Sequence, residues 1–182
     1  MLDAPDKATP AEEFTHFSER INDIINLMKQ AADHSGLSND PQLDTSYIAD
    51  AAINNMPNMI EKLGQLRGLT SGFIASGRPP AEWTEDELSE LHQRFGRLTP
   101  YDDDIMDAFD RSNTANKKSG YFIEYYKQTV QPALKKLLGT FETTVNAKTN
   151  ALSAQQMFDN VTNVIALYDV LYHRSSDTFL EF

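Results

Sequence analysis

Residues 49–73, ADAAINNMPNMIEKLGQLRGLTSGF, carry the reading on which the fold rests. Ala49, Ala52, Met56, Met59, Leu63, Leu66, Thr70 and Phe73 recur at alternating steps of three and four, the spacing that lines one face of an α-helix with a continuous seam. A strand would alternate apolar and polar residues instead, and no stretch of the chain does so. A helix from about residue 44 to the SGRPP at 76–80 has to bury that seam against other helices.

The same rhythm runs outward in both directions. Thr9-Pro10-Ala11-Glu12 combines a capping Thr, a Pro at the first helical position and a Glu three residues after the cap. Phe14, Phe17, Ile21, Ile24, Met28 and Ala31 then predict a first helix over about 10–34, closed by HSGLSNDPQLD. Thr84 and Glu87 form a second capping box, followed by Leu88, Leu91, Phe95, Leu98, Asp102, Ile105 and Phe109. SNTANKKSG at 112–120 weakens the pattern, and Ile123, Tyr126, Val130, Leu134, Leu137, Phe141 and Val145 resume it, as one bent helix or two. Ser153 with Gln156 caps a last helix whose seam, Met157, Val161, Val164, Tyr168 and Leu171, is flanked by Phe158, Ile165, Tyr172 and Phe179. The expectation is all-α: a single domain over 1–182, built as an elongated antiparallel bundle of four-helix-bundle type with about five helical segments. Pro57, Pro100 and Pro132 sit inside helical patterns, and each predicts a lost backbone hydrogen bond and a kink.

Sixteen Lys and Arg against 27 Asp and Glu give a formal net charge of −11, which argues against a nucleic-acid partner. No run approaches the about 18 apolar residues of a membrane span, and the first residues lack the charged and apolar regions of a signal peptide. Cysteine is absent, which removes disulfides, thiolate nucleophiles and Cys-ligated zinc.

Single residues break the seams. Ile53, Ile60 and Ile74 flank the second helix's core stripe, and Arg67 stands where that stripe calls for a fourth isoleucine. Its stem packs on apolar neighbours while its head reaches water or a carboxylate, or else its planar fork receives a carboxylate-type or nitrate-type anion in a partly dry groove. Asp102 occupies a seam position, and antiparallel hairpins bring it level with about residue 19, so Arg20 is its expected partner. Gly64, Gly68 and Gly72 bare one helix face, for close packing or for a ligand beside Arg67. YFIEYY at 121–126 reads as core and flank packing rather than a binding platform.

A di-iron bundle needs two Glu-x-x-His pairs on different helices. Glu13 and His16 make one, and Ala31, Ser89 and Val170 precede His34, His92 and His173 where a second would need Glu. Phosphate loops, nucleophile elbows and His-Glu-x-x-His sites are missing too. The pattern predicts a binding module without catalytic residues, metal or cofactor.

DPQLDTSYIADAAINNMPNMIEKLGQLRGL, residues 40–69, resembles the helical extracytoplasmic sensor regions of bacterial methyl-accepting chemotaxis proteins and some sensor kinases. There an Asp-Pro-x-Leu-Asp-x-Tyr-Tyr-Leu-x-Asp run leads into a Leu-Pro helix and a Leu-Arg-x-Leu-Gly segment. Asp40, Pro41, Leu43, Asp44, Tyr47, Asp50, Pro57 and Arg67 match it, while Ser46 and Ile48 depart from it. RGLTSGFIASG resembles, over fewer residues, the Arg-Gly-Leu-Ser segment of helical nitrate-sensing domains. The resemblance implies a periplasmic or extracellular input domain of an inner-membrane chemoreceptor, flanked in such receptors by two membrane helices that this chain does not include. It also implies a small-molecule ligand, a homodimer, signalling by helix shift, and Tyr47 and Asp50 as ligand-binding residues beside Arg67, Arg20 and Asp102. A sensor-kinase input domain and a structural or adaptor bundle are the alternatives. Sequencing the gene on either side separates a sensor from an adaptor: a sensor's gene encodes a hydrophobic span on each flank, and an adaptor's does not.

Overall fold

The computed structural model describes residues 9–37 and 41–180, all of them helix, turn or loop with no strand among them. Asp40, part of the motif above, lies outside the described residues. Helix α1 is Pro10–Ser35, opened by the Thr9/Glu12 capping box and closed by Gly36, whose φ of 79° is the left-handed conformation that favours glycine. Helix α2, Leu43–Ala49, passes through a π-helical stretch, Asp50–Asn55, into α3, Met56–Ala75. Helix α4, Glu85–Gly96, starts at the Thr84/Glu87 box, and α5, Leu98–Ala115, follows after Arg97. Extended backbone at Asn116 (φ −145°, ψ 113°) then separates α5 from α6, Gly120–Tyr125, so the region left open by the sequence is two rods rather than one. Helix α6 runs through a second π-helical stretch, Tyr126–Val130, into α7, Gln131–Val145, and α8 is Ala154–Leu180.

The prolines explain the two π stretches. A proline ring collides with the carbonyl four residues before it. For Pro57 and Pro132 those carbonyls belong to Ile53 and Gln128, and each lies inside the widened segment just ahead of its proline. Widening takes up the conflict without breaking the rod. Pro100 behaves differently from the expectation. The break lies ahead of it at Arg97, which leaves Pro100 in the first turn of α5, where its missing N–H has no intrahelical partner to lose.

Contacts along the rods fix their directions. Gln65 meets Arg94 and Asp44 meets Asn116, so α4 and α5 run antiparallel to α2 and α3. Arg67 meets Thr162, and Gly68 lies against Phe14, so α8 and α1 flank α3 on two sides. Met56, Met59, Leu63 and Leu66 of α3 are fully buried, with Leu91, Ile105 and Phe109 from the antiparallel rod and Met157, Val161 and Leu171 from α8. The loop between α3 and α4 is clamped by a two-bond Arg78–Glu87 pair at 2.5 and 3.1 Å. With the Thr84 backbone bond added, this pair holds the Glu87 carboxyl down at about 2.

Helix α1 is the loosest wall. It buries Ile25 and Ala32, yet leaves Phe17, Ile24 and Leu27 exposed at 62%, 58% and 65%. The three glycines of α3 divide here: a Cβ on Gly68 would stand 3.2 Å from the Phe14 ring, whereas one on Gly64 or Gly72 would meet nothing within 4 Å. Gly68→Ala is therefore expected to push α1 outward and speed proteolysis in the α1–α2 loop. Gly64→Ala and Gly72→Ala should each stabilise the chain by up to about 1 kcal/mol in urea unfolding, because alanine is the better helix former where space allows it.

Candidate functional site

Arg67 projects from α3 onto α8. Its Nη1 donates to Thr162 Oγ1 at 3.0 Å, and the guanidinium carbon stands 4.4 Å above the centre of the Phe158 ring. Thr162 is itself oriented by donating to the Phe158 carbonyl at 2.8 Å, which leaves its oxygen free to accept from the arginine. Arg67 is half-buried, and among the described residues no carboxylate pairs with it. One turn further along α3, the Ser71 hydroxyl is buried without a hydrogen-bond partner.

From Arg67 a groove of about 560 Å³ runs between α1, α3 and α8. Phe17, Ile21, Ile60, Ile165 and Tyr172 give it apolar walls, with Pro57 and Gly64 on the α3 side. Its polar lining includes Glu61 and Gln65, both buried. Gln65 Nε2 donates to Glu61 Oε1 at 2.6 Å and Gln65 Oε1 accepts from Arg94 Nη1 at 2.9 Å, while Arg94 is also paired with Glu90 at 2.6 Å. Burial pushes the Glu61 carboxyl above its ordinary range, against the lowering effect of Gln65, Lys62, Ser18 and Arg94.

Asp102 does not meet Arg20. Its Oδ1 accepts from Tyr168 at 2.7 Å and from Tyr126, so one carboxylate on α5 ties α8 to the second π stretch. Arg20 is exposed on α1 and donates through Nε to His16 Nε2 at 2.8 Å. Arg20 and Asp102 are thus on separate sides of the bundle, and neither lines the groove that holds Arg67. Burial drives the Tyr126 and Tyr168 phenols well above the ordinary tyrosine range, and the adjoining Asp102 reinforces the shift.

Tyr47 and Asp50 line a different, polar groove of about 470 Å³ with Asp104, Asp107 and Arg111. Asp50 accepts from Asn54 at 2.7 Å and Asn55 at 3.3 Å, and Arg111 pairs with Asp107 at 2.8 Å beneath the Tyr47 ring. Of the five residues expected at a ligand site, the structure brings together only Tyr47 and Asp50. In the YFIEYY stretch, Phe122 stacks on Phe109 in the core, while Tyr121 and Tyr125 face outward toward Arg174. Thr162, Phe158, Ser71 and Glu61 escape sequence reasoning. Phe158 alone gives a signal, as the first residue of the stripe flanking the last helix.

A family model described as nitrate and nitrite sensing matches residues 3–179. No curated protein and no solved structure matches the chain.

The buried phenols fix two expectations. Asp102→Ala strands two buried hydroxyl donors and should cost about 3 kcal/mol in urea unfolding, more than either Tyr126→Phe or Tyr168→Phe. Because folding raises both phenol pKa values, stability holds below the unfolded-chain value near about 10 and falls as pH rises above it, by about 1.4 kcal/mol per pH unit for each tyrosine. Urea unfolding measured across alkaline pH should lose roughly half of the combined slope in either Phe variant.

Proposed function

The chain belongs to the nitrate and nitrite sensing family, an extracytoplasmic sensor-domain family, and from that membership we propose that it binds nitrate or nitrite at Arg67. The observation that carries this reading is a half-buried guanidinium with no carboxylate against it among the described residues. A planar fork of N–H donors suits a planar oxyanion, and a partly dry groove strengthens each charge-assisted bond. The unpaired Ser71 hydroxyl one turn along supplies a further donor on the same helix face.

On this reading the domain is a binding module without catalysis, periplasmic in an inner-membrane chemoreceptor, and paired with a second copy. The resemblance of residues 40–69 to chemotaxis receptors supports that output, and a sensor-kinase input domain, which the same residues resemble, is the alternative. Signalling follows from the position of the arginine. An anion that draws the guanidinium away from Thr162 changes the contact between α3 and α8, and a small displacement of one long helix against its neighbours is the signal.

Titration calorimetry tests the site. Nitrate or nitrite should bind the 182-residue chain saturably, and Arg67→Ala should abolish the heat while leaving helix content unchanged, since this flank position does not fill the core. Arg67→Lys, which keeps the charge and loses the fork, should retain only weak binding. Undiminished nitrate binding by Arg67→Ala would falsify the assignment.

A further inference from the structure

The groove is far larger than an oxyanion at Arg67 requires. About 560 Å³ is the size of pocket that encloses a small organic molecule, and its walls are mostly aliphatic and aromatic. Its charges are unevenly placed. Arg67 is bonded to Thr162 across two antiparallel helices, so the same number of residues back along α3 and on along α8 brings Ile60 and Glu61 level with Asp169, and Pro57 level with Tyr172. Glu61 and Asp169 thus approach the groove at one height from two helices, about 9 Å along the axis from Arg67.

Glu61 is 7% exposed, and it lines the cavity with acceptor capacity beyond its bonds from Gln65 and Ser18. The cations near it are engaged or lie beside the groove: Arg94 is held by Glu90 and Gln65, and Lys62 is not part of the lining. Phe14, Phe17 and Tyr172 add ring faces, which attract a cation rather than an anion. Among the described residues, the only cationic side chain that lines the groove is Arg67, about 9 Å away along the axis.

From this arrangement we infer that the groove binds an organic ammonium ion with an apolar body, the nitrogen between Glu61 and Asp169 and the body against Ile21, Ile60 and Tyr172. The inference goes beyond the oxyanion reading and does not depend on it, because the two ligands use different stretches of the groove and opposite charges.

Hexylammonium chloride is the probe, with sodium hexanoate as its counterpart of opposite charge and nitrate as the control for Arg67. Calorimetry on the 182-residue chain should show saturable hexylammonium binding and none for hexanoate. Glu61→Gln should weaken hexylammonium roughly ten-fold or more, the loss expected for one charge-assisted bond, and Asp169→Asn should weaken it less. Arg67→Ala should not weaken hexylammonium binding, because it removes a like charge from the same groove, whatever it does to nitrate. Glu61→Gln should fold at least as stably as the natural chain, since burial opposes the charge it removes. Thermal melting checks this, and exposed Asp169 gives a second variant that cannot disturb the core. Absent hexylammonium binding, equal binding of hexanoate, or an affinity indifferent to both carboxylate variants overturns the inference. So does a groove filled by a second copy, which sedimentation would reveal as a dimer that Ile21→Glu dissociates and hexylammonium does not enter.

Discussion

The guanidinium of Arg67 crosses from α3 to α8, donating to Thr162 and lying over the Phe158 ring. Around that contact α3 buries Met59, Leu63 and Leu66 while α8 buries Met157, Val161 and Val164, so the charge sits at the edge of the apolar seam between these two helices. An arginine with no carboxylate beside it stays in such a place because its stem packs and its head keeps one foot in the groove. Beside it, α1 comes close to α3 where Gly68 admits Phe14, while the space next to Gly64 stays open and lines the groove.

Helix α8 is pinned a second time, where Tyr168 donates to Asp102 on α5 and Tyr126 donates to the same oxygen. Tyr126 is the first residue of a π stretch whose widening answers to Pro132. A π-widened rod therefore meets α8 through a buried polar bond, and an apolar seam with two polar pins has discrete registers rather than a continuum. On the proposed reading, changing one pin while the other holds is a physical means by which a ligand at Arg67 would alter α8 without melting the bundle.

Local chemistry was legible in the sequence. The Thr9/Glu12, Thr84/Glu87 and Ser153/Gln156 caps and the steps of three and four depend on residues within one or two turns, and they place the helix starts and the seam residues where they lie. The antiparallel course of the rods was legible as well: the expected hairpin between α3 and α4 is there, and Arg94 bonds Gln65 across it. Which side of a rod faces which neighbour was not. Asp102 was expected on Arg20 because both lie at one height, yet two phenols fill its side of the bundle and Arg20 is out in solvent on α1. The apolar stripe of α1 states which residues favour burial and not what covers them, and Phe17, Ile24 and Leu27 stay exposed. Gly64, Gly68 and Gly72 read alike in sequence, and only the position of Phe14 separates them.

The central claim is that an oxyanion at Arg67 is felt by α8. The chain has no cysteine, so single cysteines at the exposed positions Ala75 on α3 and Ala166 on α8 can carry spin labels without competing thiols. The distance between the labels, measured by pulsed electron resonance with and without nitrate, reads the α3–α8 relation directly. The account predicts a nitrate-dependent shift of that distance, absent when Arg67 is alanine. Superimposable distance distributions with and without nitrate would contradict it.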